Sequence, residues 1–124
     1  MNKKILIVDD EPDISSLFKI ILEQNNEFIV HSFNDPLFAL KNFKPDLYDL
    51  LLVDIKMPEM DGLEFYREIR KIDKKVKLCF ITASEKYYEP FRKEIYDISG
   101  ENCFIQKPIA NDDLLKLVNI MINR

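Results

Sequence analysis

The sequence predicts an α/β domain built on a doubly wound, five-stranded parallel sheet of order 2-1-3-4-5. Three observations carry that expectation. Short apolar runs alternate strictly with segments of helical period. The strand-like runs are apolar at successive positions, as in sheets covered on both faces, and acidic or polar residues gather where those runs end. Each β-to-α-to-β connection requires a right-handed crossover, which brings the carboxyl ends of all the strands to one rim.

The strands are expected at Lys4 to Val8, Phe28 to Phe33, Leu50 to Val53, Val76 to Thr82 and Asn102 to Gln106. Between the first two, Ile14, Leu17, Phe18, Ile21 and Leu22 recur at helical spacing behind Pro12, whose fixed φ suits a first turn. Pro36 opens a short helix carrying Leu37, Leu40 and Phe43. Phe65, Ile69 and Ile72 place a stripe on a helix that begins near Asp61-Gly62, and Leu114, Val118, Met121 and Ile122 do the same for the last one. The fourth helix is expected to start near Pro90, because proline is damaging inside a helix, and to be capped by Gly100. An extended loop from Ala83 to Glu89, with Tyr87 and Tyr88, would precede it.

A length of 124 residues, 47% hydrophobic and 32% charged, fits one domain spanning 1–124 with a single core. No apolar stretch is long enough to span a membrane, and the first apolar run stops at Asp9-Asp10, too early for a signal peptide. The expected location is the cytoplasm. A net charge of −4 and the lack of a basic cluster argue against direct nucleic-acid binding. Cys79 and Cys103 have no CxxC spacing and no histidine neighbour, so they read as small buried thiols, and His31 reads as a structural strand residue.

Asp54 closes the most apolar run, Leu50-Leu51-Leu52-Val53-Asp54, and should emerge at the rim where open α/β folds keep their chemistry. A single aspartate there is also a common strand terminator. The first strand, however, ends in Asp9-Asp10-Glu11, and strand order 2-1-3 sets these acids beside Asp54. Clustered carboxylates repel one another unless a cation neutralises them, and oxygen-only donors suit Mg²⁺ or Mn²⁺. Asp13 is assigned only to the helix dipole. Thr82-Ala83-Ser84 ends the fourth strand and Lys107-Pro108 the fifth, adding a hydroxyl, an ammonium group and, at Ala83, an open approach. A carboxylate nucleophile, a divalent cation, a hydroxyl donor and a lysine are the parts that phosphoryl transfer uses.

Over essentially its whole length the chain resembles the receiver domain of two-component response regulators, which has a flavodoxin-like fold. The matching residues are Ile5-Leu6-Ile7-Val8-Asp9-Asp10-Glu11, Asp54-Ile55-Lys56-Met57-Pro58-Glu59-Met60-Asp61-Gly62, Thr82-Ala83 and Phe104-Ile105-Gln106-Lys107-Pro108. The resemblance implies that Asp54 accepts a phosphoryl group from a sensor histidine kinase or phosphotransfer protein. Mg²⁺ would be held by Asp10, Asp54 and the Lys56 carbonyl, with Asp9 acting mainly through water. Thr82 and Lys107 would bind the phosphoryl oxygens, Phe104 would change rotamer as Thr82 moves, and Lys107-Pro108 would be cis. It further implies a non-enzymatic switch, as a monomer or phosphorylation-dependent dimer, that signals to a downstream protein through the fourth helix, fifth strand and fifth helix. By the same resemblance, Lys56 and Ser84 lie where family members tune the lifetime of the phosphorylated state; Lys56 could screen the acyl phosphate and Ser84 offers no carboxamide or carboxylate to orient water, so slow self-dephosphorylation is expected.

The interval between Thr82 and Lys107 is longer than the family usually shows, which bears on the output surface. A stand-alone protein, a phosphorelay carrier and a receiver cut from a longer regulator are all compatible with the sequence. The competing reading is a Mg²⁺-dependent phosphatase with an aspartyl intermediate, but such enzymes place a DxD pattern after the first strand, which Asp9-Asp10-Glu11 lacks. A flavin-binding redox role would want a hydroxyl- and glycine-rich first loop in place of this acidic one.

Overall fold

The structure, a computed structural model, describes residues 2–83, 93–94 and 103–123. Its elements run β1 (Lys3–Val8), α1 (Pro12–Leu22), β2 (Phe28–Phe33), α2 (Pro36–Asn42), β3 (Leu50–Asp54), α3 (Gly62–Ile72), β4 (Lys77–Thr82), β5 (Phe104–Gln106) and α4 (Asn111–Ile122). All four strand pairings are parallel and the sheet order is β2-β1-β3-β4-β5, the topology the alternation predicts. The expected Ser84-to-Glu89 part of the loop, its Tyr87 and Tyr88, the helix start near Pro90 and the cap at Gly100 lie outside the described residues. Lys93 and Glu94 are helical.

Successive strand residues face opposite sides of a sheet, so the continuous apolar runs supply two cores at once. On one side Leu6, Val8, Leu51, Val53, Leu78 and Phe80 pack with Phe65 and Ile69 of α3 and Ala39 of α2. On the other, Ile5, Ile7, Leu50, Leu52, Ile81 and Ile105 meet Phe18, Ile21 and Leu22 of α1 and Leu114 and Val118 of α4. Pro12 and Pro36 both stand in first helical turns, where no N–H is missed. Asp35 caps α2 by accepting from the Leu37 N–H at 2.9 Å, and Asp61 caps α3 by accepting from the Glu64 N–H at 2.9 Å.

Three expected core residues lie outside the core. Leu17 is 46% exposed, Leu37 46% and Ile72 42%. The buried arc of α1 is instead Ser15, Phe18, Ile21 and Leu22, with the Ser15 hydroxyl donating to the Pro12 carbonyl at 3.1 Å and accepting from Asn34 Nδ2 at 2.8 Å. The two cysteines also depart from expectation. Parallel pairing sets Phe80 opposite Phe104, so the residues before them, Cys79 and Cys103, are neighbours across the ladder with Cα atoms 4.8 Å apart, and they form a disulfide. The sequence reading sought a local CxxC spacing, whereas the pairing here is made by strand register over a separation of 24 residues.

The opposite, amino-terminal rim is held by a half-buried and a buried acid, Asp49 and Asp73. Asp49 accepts from the Lys4 N–H at 2.8 Å, and Asp73 accepts from the N–H groups of Asp46, Lys75 and Val76 at 3.0, 2.8 and 3.1 Å. Burial alone would raise the Asp73 pKa, but these three donors and Arg70 outweigh it and hold the carboxyl below its usual range.

Gly62 is where the fold meets the functional rim. Its N–H donates to the Ile55 carbonyl at 2.8 Å, and a Cβ built on it would lie 2.7 Å from the Asp54 carbonyl oxygen and 3.0 Å from the Ile55 Cα. These are backbone atoms, so they cannot yield as a flexible side chain would. Gly62→Ala is expected to lose about 1–3 kcal/mol despite alanine's better helix propensity. Urea unfolding of the two proteins checks this; equal midpoints would show that the α3 start relaxes freely.

Candidate functional site

The carboxyl ends of β1, β3, β4 and β5 converge on one rim. Asp54, the last residue of β3, is 5% exposed, and Asp9, directly after β1, is completely buried. Lys107, directly after β5, extends its ammonium group between them. Its Nζ lies 2.8 Å from Asp9 Oδ2, 3.8 Å from Asp54 Oδ2 and 3.3 Å from Glu11 Oε1. The Lys107 N–H donates to the Thr82 carbonyl at 2.7 Å, which fixes the root of the lysine to the end of β4. The Lys107-Pro108 peptide is cis, as expected.

Asp9 is fixed from several directions. Its Oδ1 accepts from the Glu11 N–H at 3.0 Å, and its backbone N–H donates to the Phe33 carbonyl at 3.1 Å. Asn34 Nδ2 donates to the Asp9 carbonyl and to Ser15 Oγ, each at 2.8 Å, tying the end of β2 to the site and to α1. Beside these acids opens a cavity of about 560 Å³ lined by Asp10, Glu11, Asp54, Lys56, Met57, Pro58, Thr82 and Ala83. The segment that follows Asp54 folds over it through an unusual turn, with Glu59 at φ 71° and the Met60 N–H donating to the Pro58 carbonyl at 2.8 Å.

Of the residues singled out in the sequence, Asp9, Asp10, Asp54, Lys56, Thr82 and Lys107 therefore meet at one rim. Phe104 does not line the cavity. Half-buried, it stacks on Phe80 with ring centroids 5.6 Å apart and planes at 28°. Ser84 lies outside the described residues. Sequence reasoning gave Glu11 no place beside Lys107 and missed the bracing by Asn34 and the close approach of Gly62. Only Gly62 left a signal, as one of two glycines in the chain and directly after a helix-capping aspartate.

The electrostatics follow from this crowding. Burial pushes the Asp54 carboxyl up to about 7 from the ordinary 3.8, and the Asp9 charge adds to the effect. Lys107 opposes it, while a hydrogen-bonding contact with Asp9 and the charge of Asp10 raise it further. For Lys107, burial would depress the pKa, but Asp9, Asp54 and Glu11 outweigh burial and hold the ammonium protonated.

One ammonium group thus faces several carboxylates. Ligand atoms of Asp9, Asp10, Glu11 and Asp54 all lie within 4.8 Å of one another, and every donor is oxygen. The buried Asp9 Oδ2 is balanced by the nearby charge of Lys107 but has no well-directed hydrogen bond. Such a set fits a small, hard divalent cation, which would offset both the burial and the neighbouring charges that raise the Asp54 pKa.

A carboxyl whose folded pKa lies above its unfolded one makes the fold bind the proton more tightly. In metal-free buffer its stabilising effect is present at low pH and is lost as pH rises from about 4 through about 7. Asp54→Asn lacks this loss, so above neutrality it is expected to be more stable than the parent by about 1–3 kcal/mol, with the two converging toward pH 4. Added Mg²⁺ is expected to stabilise the parent more than the variant. Thermal melts across pH with chelator or Mg²⁺ measure both effects, and parallel pH profiles would show that Asp54 is already ionised in the resting fold.

The chain is similar to known proteins in sequence and in fold. The pattern that defines the response regulator receiver domain matches residues 5–119. The chain is 31% identical over 125 residues to the chemotaxis protein CheY of Bacillus subtilis, covering 99% of this chain and 100% of that protein. It is 36% identical over 116 residues to the CAI-1 autoinducer sensor kinase/phosphatase CqsS of Vibrio cholerae, of which it spans only 17%. It likewise spans 50% of the Bacillus subtilis regulator PhoP, at 29% identity. Among solved structures, a CheY-like receiver domain protein from Methanospirillum hungatei JF-1 superposes with TM-score 0.79 at 28% identity, covering 99% of this chain and 95% of that one. The BeF3-activated DrrB receiver domain shares the fold with TM-score 0.85 and 21% identity over the full length of both chains. With the family pattern matched over residues 5–119 and a full-length relative at 31% identity, the chain belongs to the response regulator receiver domain family.

Proposed function

We propose that Asp54 is the phosphoacceptor of a two-component signalling switch and that the whole of residues 1–124 works as one receiver. The observation that carries this reading is the position of Asp54 at the end of β3, 3.8 Å from the Lys107 ammonium and opening onto a cavity bounded by Thr82 and Asp10. In the transfer, an Asp54 carboxylate oxygen attacks the phosphorus of a phosphohistidine on a sensor kinase or phosphotransfer protein. The new O–P bond forms as the N–P bond breaks, and the imidazole keeps the electron pair.

Lys107 then exchanges part of its contact with Asp9 for a phosphoryl oxygen, and the Thr82 hydroxyl donates to another. Asp10, Asp54 and the Lys56 carbonyl are assigned to a Mg²⁺ or Mn²⁺ ion, with Asp9 reaching it through water. When bound, that ion supplies charge neutralisation between the acids and the incoming dianion. Asp54 must be ionised to attack, and burial, reinforced by the charges of Asp9 and Asp10, raises its pKa to about 7, so a cation that favours the ionised form also activates the nucleophile.

The phosphoryl group adds roughly −1.5 to −2 charges at a rim reached by β4 and β5. Thr82 is drawn toward it and Phe104, stacked on Phe80, is the side chain placed to follow. The surface that changes is assigned to β5, α4 and the segment between β4 and β5, read by a downstream protein partner. Among the described residues no helix is long and apolar enough to cross a membrane. We assign the switch to the cytoplasm, acting as a monomer or phosphorylation-dependent dimer without direct nucleic-acid contact.

Incubation with acetyl phosphate and Mg²⁺ is expected to give a single phosphoryl adduct on the wild type and none on Asp54→Asn, read by intact mass. An adduct on both proteins would move the acceptor elsewhere. Chelator is expected to abolish the adduct, and Lys107→Ala to lower its yield at least about tenfold while leaving Asp54 accessible.

The exposed Lys56 side chain beside the cavity can screen the acyl phosphate, and Ser84, by its residue type, offers no carboxylate or amide to orient water, so we assign slow hydrolysis to the phosphorylated form. Purified phosphoprotein is expected to persist for many minutes or longer in Mg²⁺ buffer. Loss within seconds, followed by mass against time, would contradict this.

A further inference from the structure

The Cys79–Cys103 disulfide plays no part in the chemistry described above, yet it joins the two strands that carry that chemistry. Cys79 lies three residues before Thr82 on β4, and Cys103 stands immediately before Phe104 and four residues before Lys107. The bond sits on the face of the sheet covered by α1 and α4, among Ile81, Ile105, Leu114 and Val118.

β5 depends on this link more than any other strand would. It is an edge strand of three residues, and only Ile105 in it is buried. Its ends are held to β4 by the Phe80 N–H donating to the Cys103 carbonyl at 3.0 Å and the Lys107 N–H donating to the Thr82 carbonyl at 2.7 Å. So short a strand is marginal by itself. Cys79 is 1% exposed and Cys103 only partly buried, so Cys103 is the residue of the pair nearer to solvent.

We propose that Cys79 and Cys103 are a reversible dithiol–disulfide switch that sets how firmly β5, and with it Phe104 and Lys107, is held against β4. The oxidant is a small disulfide of the glutathione class. The Cys103 thiolate attacks one of its sulfurs and expels a thiolate, and the Cys79 thiolate then attacks Cys103 sulfur and expels the second. Two protein thiols lose two protons and two electrons, the donor S–S bond becomes two thiols, and the Cys79–Cys103 bond forms. Reduction by the corresponding thiol runs the same steps backward.

In the oxidised form β5 is fixed and Lys107 is preorganised beside Asp9 and Asp54. In the reduced form the bond gives way to a wider van der Waals contact and β5 opens more often. The effect on phosphoryl transfer rests on Asp54 being the acceptor; the redox step and the loosening of β5 do not.

The test uses the intact protein poised in glutathione buffers of different ratio. Alkylation with intact mass counts thiols, and amide hydrogen exchange reads Phe104 to Lys107. Two thiols are expected to appear together under native conditions and to disappear on re-oxidation. Exchange in β5 is expected to be roughly tenfold or more faster in the reduced form, with Cys103→Ser matching the reduced wild type in either buffer.

A bond that opens only in denaturant, or identical β5 exchange in both forms, would overturn the switch. Initial phosphorylation by limiting acetyl phosphate is expected to be roughly threefold or more slower in the reduced form. Equal rates would overturn the link to the acceptor. If neither form took an adduct, the Asp54 reading would fail and the exchange comparison would still decide the switch.

Discussion

The interaction on which the functional rim depends is the burial of Asp9 and Asp54 around one lysine. Neither acid would be stable in its place as an isolated charge, because taking a carboxylate out of water costs several kcal/mol. Lys107 offsets part of that cost for both, at 2.8 and 3.8 Å, and is itself kept charged by them. The compensation is incomplete, as the raised pKa of Asp54 shows. An acidic pocket left short of positive charge favours a cation and repels an anion until that charge is neutralised.

The parallel register is what makes that pocket possible. β1, β3, β4 and β5 each bring at least one polar or charged group to the rim at or just beyond their carboxyl ends, and Gly62 lets α3 begin within contact distance of the Asp54 backbone. None of these groups is a sequence neighbour of all the others. They share a rim because each strand exhausts its apolar residues at the same level of the sheet.

That is why so much of the fold and site was legible in the chain. Runs such as Ile5 to Val8 and Leu50 to Val53 can be buried on both faces only in a covered parallel sheet, and the polar residues closing them must then surface together. Legibility failed where the outcome depended on contacts between elements. Leu17, Leu37 and Ile72 have helical spacing but sit at the margin of their stripes, and the packing geometry, not the period, decides which margin is covered. The Cys79–Cys103 pairing is set by which residues stand side by side on β4 and β5, information a linear spacing rule does not contain. Glu11 beside Lys107 was hidden for the same reason, since its reach is a matter of side-chain direction after the strand has ended.

Asn34 gives the sheet's outer edge a stake in this rim. β2 is the strand farthest from β4 and β5 and sends no group into the cavity, yet the amide at its end clasps the Asp9 carbonyl and the Ser15 hydroxyl together. The margin of the molecule is therefore mechanically in series with its centre. A push on the turn between β2 and α2 displaces the backbone that carries the buried acid.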